Sequence, residues 1–180
     1  MILFYLQAAI QAGPGSDLRR RLAELIRNHR RGLRTHEKRD FWRQASLILS
    51  DATPQISYGV WDFVTAKAEQ EHETWASELE AVATLDFDSE CPSGDHVVVT
   101  LLFLLESQCN AATTLGERCD LPENQWFLRN QFRRLIETPP LLNFTGVLAD
   151  SLYMSPGPDA GGFTLDDLRG EGFEYLHAIR

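Results

Sequence analysis

Apolar residues open the chain at every second position: Ile2, Phe4, Leu6, Ala8 and Ile10 alternate with a half-polar set. Successive side chains of a strand point to opposite faces, so this pattern predicts a strand with one well-buried face, ended by Gly13-Pro14-Gly15. The period then changes. Ser16 is a good N-cap, Leu18, Leu22, Leu25, Ile26 and His29 recur at helical spacing, and Gly32 supplies a stop. Thr35 caps a second helix with Phe41, Trp42, Ala45, Ile48 and Leu49 inward, closed by Pro54.

Residues 56–64 hold Tyr58, Val60, Trp61 and Phe63, a β-branched and aromatic run that predicts a strand. Residues 67–83 put Ala68, His72, Trp75, Leu79 and Val82 on one face and five glutamates elsewhere, as an amphipathic helix does. An acidic loop follows at 86–94. Residues 97–105 are nearly all apolar, which predicts a strand covered on both faces. A helix is expected over 111–119. Asp120 with Glu123 then makes a capping-box start for a longer one, with Leu121, Gln125, Leu128, Phe132 and Leu135 inward and Pro139-Pro140 as its end. Residues 144–154 contain another strand, 156–162 form a Gly/Pro loop, and Thr164 with Asp167 opens a short final helix.

The resulting order, β-α-α-β-α-β-α-α-β-α, predicts an α+β fold: one domain over residues 1–180, with amphipathic helices packed on a mixed sheet of about four strands. Its composition, 43% hydrophobic and 24% charged, excludes collagen-like and wholly disordered chains. Residues 1–12 have neither a basic n-region nor a small-residue cleavage site, and no apolar run approaches the ~20 residues of a spanning helix. Three irregularly spaced cysteines, Cys91, Cys109 and Cys119, indicate no disulfide framework and favour a reducing, cytoplasmic setting.

Charge is distributed unevenly. Ten basic residues and only four acids fall between positions 17 and 43, in a chain whose net charge is -9. On a helical wheel Arg20, Arg27, Arg30 and Arg31 share the side opposite Leu18, Leu22 and Leu25. Such a stripe orients an approaching anionic surface. The plainer reading is a solvated helix face paired with acids of the same chain.

Two strand motifs carry a resemblance. Asp95-His96-Val97-Val98-Val99-Thr100-Leu101-Leu102 resembles the hallmark strand of the family called domain of unknown function 1517, and Leu152-Tyr153-Met154-Ser155-Pro156 is similar to that family's strand ending in Trp-Thr-Pro. Thr164-Leu165-Asp166-Asp167-Leu168 and Tyr175 are similar to its closing motifs, and the opening strand and arginine-rich helix match its start in pattern. The resemblance implies little about activity. Members of the family are mostly membrane-anchored proteins of cyanobacteria and chloroplasts, linked in plants to the tuning of photoprotection, and they offer no catalytic residues to carry across. This chain departs from them in having no anchor or Gly/Ser-rich stretch upstream. It also has His96 where an aromatic is usual, Met154 at the Trp position and Leu176 at the following Pro position.

Catalytic and metal chemistry find little support in the residues. Cys91, His96, Cys109 and Cys119 lack the close Cys-x-x-Cys or His-x-x-x-His pair of a structural zinc site, so no metal is expected. No cofactor motif is present either: Gly13-Pro14-Gly15 lacks the Gly-Lys-Ser/Thr ending of a phosphate loop, and its proline removes a backbone donor. His72 lies among Glu69, Glu71 and Glu73, which suggests acid–base work, but its helical neighbours Ala68, Trp75 and Leu79 suggest a core residue instead. The reading that follows is a non-catalytic interaction or regulatory domain that docks a protein partner through Arg20, Arg27, Arg30 and Arg31. The alternatives are a cryptic enzyme built on His72 and nearby acids, or a module for an anionic membrane surface or nucleic acid. Nucleic acid is the weakest of these, since no aromatic motif interleaves the arginines and the acidic remainder repels phosphates.

Overall fold

A computed structural model describes residues 1–28, 32–84, 94–170 and 172–180, the side chains of 81–84 excepted. His29, Arg30, Arg31, Cys91 and most of the acidic loop therefore lie outside the described residues, as does the side chain of Val82. The strands β1 (Ile2–Gln11), β2 (Ile56–Val64), β3 (His96–Leu105), β4 (Val147–Ser155) and β5 (His177–Ala178) form one sheet in the order β4-β3-β1-β2-β5. The helices are α1 (Asp17–Asn28), α2 (Thr35–Asp51), α3 (Ala68–Thr84), α4 (Asn110–Cys119) and α5 (Arg129–Ile136). The molecule is a single α+β domain.

The sheet is antiparallel throughout, not mixed, and has five strands rather than four. The connections explain why. Two helices separate β1 from β2 and two separate β3 from β4, so in each case the chain returns running the opposite way beside a neighbour. Only α3 makes a single-helix crossover. It joins β2 to β3, which run in the same direction but have β1 between them.

This layout places α3 alone on one side of the sheet. The first face carries Phe4, Leu6, Val99, Leu101 and Phe103, joined in one core with Trp42 of α2, Leu115 of α4 and Phe132 of α5. Trp42 lies 4.5 Å from Phe103, centroid to centroid, and donates Nε1–H to Asp150 of β4 at 2.8 Å. The Asp150 carboxylate, 2% exposed, also pairs with Lys38, so a buried ion pair ties α2 to the edge strand. The second face carries Leu3, Tyr5, Gln7 and Ala9 of β1 with Val98, Thr100, Leu102 and Leu104 of β3. β1 is therefore buried on both faces, where its alternation indicated one.

Three further expectations are corrected. The helix expected from Asp120 begins only at Arg129; Glu123–Gln125 is a single 3-10 turn, and Gln125 is exposed rather than inward. Trp126 intervenes, donating its indole N–H to Leu121 O and accepting from the Trp61 indole, both at 2.8 Å. The final helix is likewise only a turn, Asp167–Arg169. Its Thr164/Asp167 box forms as the sequence indicates, with Thr164 N–H donating to Asp167 at 2.7 Å, but Gly170 and Gly172 follow at once and the turn does not propagate. Finally, neither expected N-cap serves: the Ser16 hydroxyl is buried without a partner and caps nothing, and Thr35 is already the first residue of α2, whose N-cap position is taken by Arg34.

Candidate functional site

One helix, roughly 10 Å across, cannot cover a sheet whose strands lie about 4.8 Å apart. On the second face α3 covers Leu3, Leu102 and Leu104, while Leu168 and Leu176 of the C-terminal coil cover Ala9 and Val98. Between these two covers lies a cavity of about 190 Å³. Its floor is Gln7 of β1, Val98 and Thr100 of β3, and Tyr153 and Ser155 of β4; Trp75 and Leu79 of α3 wall one side, and Phe163, Phe173 and Tyr175 the other.

The floor is polar in an otherwise apolar setting. Strand register sets Tyr153, Thr100, Gln7 and Val60 in one row across four strands. Gln7 is 3% exposed and Thr100 1%. The Gln7 Nε2 donates to Thr100 Oγ1 at 3.0 Å, while its Oε1 and the nearby Ser155 Oγ are buried without any partner. Each such orphan costs about 1–3 kcal/mol. Tyr175 stands at the mouth, its ring edge-on to Trp75 at 5.8 Å, and Trp75 stacks on Tyr5 at 4.8 Å. Burial raises the Tyr175 phenol above its usual range, and the Gln7 amide works in the opposite direction. The only charged residue in the described lining is Glu78, which is exposed.

A second constellation, not anticipated from the sequence, lies on the same face. A register shift between Ala9 and Ile10 brings Ser57 of β2 toward His96 of β3, with Oγ 3.1 Å from Nε2. His96 Nδ1 is 2.9 Å from Asp95 Oδ1. The order is that of a nucleophilic triad, but the geometry argues against one. The Nδ1 contact is too misaligned to be a hydrogen bond. Asp95 is half exposed and already accepts from Gln11 Nε2 at 2.7 Å, the main reason its carboxyl sits below the usual range. Among the described residues, the cavity over β1 and β3 is lined by neither Ser57 nor His96. The group is better understood as a polar clasp between β2 and β3 across β1.

The residues singled out from the sequence are scattered. Arg20 is exposed and bound to Asp17 at 2.5 Å; Arg27 is exposed and makes no ion pair among the described residues. Both border an open depression of about 490 Å³ with Glu24 and Asp159. The neighbouring Arg19 is instead fully buried, donating to the carbonyls of Gly157 (3.3 Å), Ala160 (2.8 Å) and His96 (3.1 Å). Burial lowers its pKa from the ordinary arginine range. His72 is half-buried with Nε2 unpartnered, while Glu69, Glu71 and Glu73 are exposed, and it does not line the cavity. Cys109 caps α4, its Sγ accepting from Ala112 N at 3.3 Å, and Cys119 ends the same helix. Ten residues of helical rise, roughly 15 Å, keep the two thiols from sharing a metal.

In the sequence Gln7 is one member of the half-polar set of β1, with nothing to single it out. The signal that could have found the cavity is the mismatch between one crossover helix and a sheet whose central strand is apolar on both faces. Comparison with known family models, curated proteins and solved structures gave no match.

Proposed function

We propose that this chain is a non-catalytic binding domain that holds one small organic molecule between the second face of the sheet and α3. The observation that carries the reading is the cavity itself: about 190 Å³ between α3 and the C-terminal coil, walled by Trp75, Leu79, Phe163, Phe173 and Tyr175 over a floor that includes Gln7 and Thr100. Largely apolar cavities with a few convergent polar groups are where ligands are recognised. The resemblance of the β3 and β4 motifs to the domain of unknown function 1517 family supports a role without catalysis, and those two strands meet at the cavity floor. The test is a titration with a library of small organic molecules followed by amide shift perturbation. Shifts are expected at Gln7, Thr100 and the Trp75 indole, and are expected to vanish in Ser155→Phe, which plugs the space. Shifts confined to any other surface would move the site there.

A second reading, docking of a protein partner at Arg20 and Arg27, is favoured by one observation: Arg27 has no ion-pair partner among the described residues. The bond from Arg20 to Asp17 and the presence of Glu24 and Asp159 weaken it. Reversing Arg20 and Arg27 to glutamate would abolish capture of such a partner without loss of fold. Unchanged capture would remove this reading. Among the described residues no helix is long and apolar enough to cross a membrane; a cytoplasmic setting belongs to the proposal.

A further inference from the structure

The sheet edge beyond β5 offers a second site, apart from the cavity described above. We propose that an extended segment of a partner protein, patterned apolar–basic–apolar, adds to β2 there as a further antiparallel strand. This site stands whether or not the cavity is filled.

The backbone comes first. Ile179 N–H bonds to Ser57 O at 3.0 Å, and His177 faces Gly59 two residues on. Odd-numbered positions of β2 therefore turn their N–H and C=O toward β5. β5 ends at once, pairing only with Tyr58 and Gly59. Trp61 and Phe63 continue the outward set with no strand beside them among the described residues. The Phe63 N–H is held at 2.7 Å by the carboxylate of its own neighbour, Asp62. Unpaired edges of this kind are where extended segments dock by main-chain hydrogen bonds.

Against the edge lies an open depression of about 540 Å³, with His177 at one end. Val60, Trp61, Asp62 and Phe63 line it, a run of roughly 13 Å at the strand rise. Trp126 and Phe127 wall it on the side of the first face. Trp126 is fixed by its bonds with Leu121 and Trp61, and Phe127 packs on His177 at 4.1 Å, so the wall is held in place.

Alternation then decides which side chains the segment carries. Residues opposite Trp61 and Phe63 fall on the first face, beside Trp126 and Phe127, and are apolar. The residue between them falls opposite Asp62, on the second face with Tyr5. The described lining holds two exposed carboxylates, Asp62 and Asp120, and no lysine or arginine. Neither carboxylate is in an ion pair among the described residues. The middle residue is therefore a cation. A charge on an edge also deters unselective pairing, so Asp62 chooses among segments as well as attracting one. A second copy of this chain fits poorly, because pairing the same edge about Asp62 sets carboxylate against carboxylate.

Two capped peptides, Thr-Val-Lys-Val-Thr and Thr-Val-Glu-Val-Thr, titrated into the protein and followed by amide shifts, test the proposal. The lysine peptide is expected to shift the Trp61 and Phe63 amides and the Trp126 indole. It should bind about tenfold more tightly than the glutamate peptide, and Asp62→Lys should reverse that order. Strand addition has its own readout. The valines face Trp61 and Phe63 and use their N–H groups, so N-methylation of either should weaken binding about tenfold or more. N-methylation of the lysine, whose N–H points away from β2, should leave affinity nearly unchanged. No shift at Trp61 or Phe63 up to the solubility limit of the lysine peptide would overturn the proposal. So would equal affinity of the two peptides, or equal effects of methylation at valine and lysine. Shifts of the same amides with protein concentration alone would assign the edge to a second copy and overturn it too.

Discussion

Gln7 and Thr100 face each other across β1 and β3, Nε2 to Oγ1 at 3.0 Å, each almost wholly shielded from solvent. A polar pair in the middle of a sheet buried on both faces is not needed for folding. Replacing one member strands the other, whereas replacing both with apolar groups of similar shape can be nearly neutral.

Gln7→Leu alone is accordingly expected to cost about 1–2 kcal/mol, because the Thr100 hydroxyl is left buried and unpaired. Adding Thr100→Val should bring stability back to within about 0.5 kcal/mol of the starting protein. Urea denaturation measures both. If the double variant is as unstable as the two singles added together, the pair is a structural asset and its retention says nothing about a ligand.

Arg19 makes a sharper forecast for the loop at 156–162. Arg19→Leu removes the donor to three carbonyls at once and should cost about 3 kcal/mol, with faster hydrogen exchange at Gly162, whose amide bonds to Gly94 O at 2.9 Å. A Cβ on Gly162 would sit 2.6 Å from the Arg19 guanidinium and 2.6 Å from His96 O, whereas Gly157 has nothing within 4 Å. Gly162→Ala is therefore expected to lose about 1–3 kcal/mol and Gly157→Ala less than about 0.5. Melting curves that rank the two glycines the other way would show that the loop is not held as described.

The Lys38–Asp150 pair predicts a characteristic pattern of loss and recovery. Lys38→Met leaves the buried Asp150 carboxylate uncompensated and should destabilise by about 3–5 kcal/mol. Combining it with Asp150→Asn removes the charge while keeping an acceptor for the Trp42 indole, and most of the loss should return. Equal destabilisation of the single and double variants, read by chemical denaturation, would contradict the account.

Burial shapes both ends of the pH profile: it raises Tyr5, Tyr175 and Cys119 and lowers His72. Burial, with Asp62 adding to it, pushes the Tyr5 phenol up to about 12. The fold favours its neutral form, so this contribution is complete below about pH 10, the unfolded value, and is lost as pH rises toward 12. Burial holds His72 below its ordinary value. There the neutral imidazole is favoured, so the contribution is present above about pH 6.5 and is lost as pH falls through the lowered pKa. Tyr5→Phe should flatten part of the alkaline limb, which Cys119 and Tyr175 share, and His72→Gln part of the acid limb of stability against pH. A His72→Gln protein that keeps the full acid limb would place that proton uptake elsewhere.

How far the sequence reached depends on the kind of signal. β3 was legible because ten consecutive buried positions leave no polar phase to misread. α2 was legible because all five of its inward residues are buried on the first face. Strand direction was not legible, since nothing in residues 56–105 reveals that β1 lies between β2 and β3. The two-residue β5 is too short for any period, and its place depends on Ile179 N–H bonding to Ser57 O at 3.0 Å, a contact made only after the fold closes. The arginine stripe was legible as charge, but it concealed a division of labour: Arg19 is interior and Arg20, its neighbour, is exposed. Gln7 looked solvent-facing because strand alternation identifies one face and says nothing of what covers the other.

The contact between Arg19 and Gly162 also bears on how the chain can change over generations. A β-carbon at 162 would meet not only the guanidinium at 19 but the backbone carbonyls of His96 and Gly94, so a shorter residue 19 does not by itself release the position. The two residues are bound in one direction only: the arginine can be replaced while the glycine stays, but a side chain at 162 must wait until the backbone contact with Gly94 has opened. Across generations the glycine is therefore expected to outlast the arginine that packs on it.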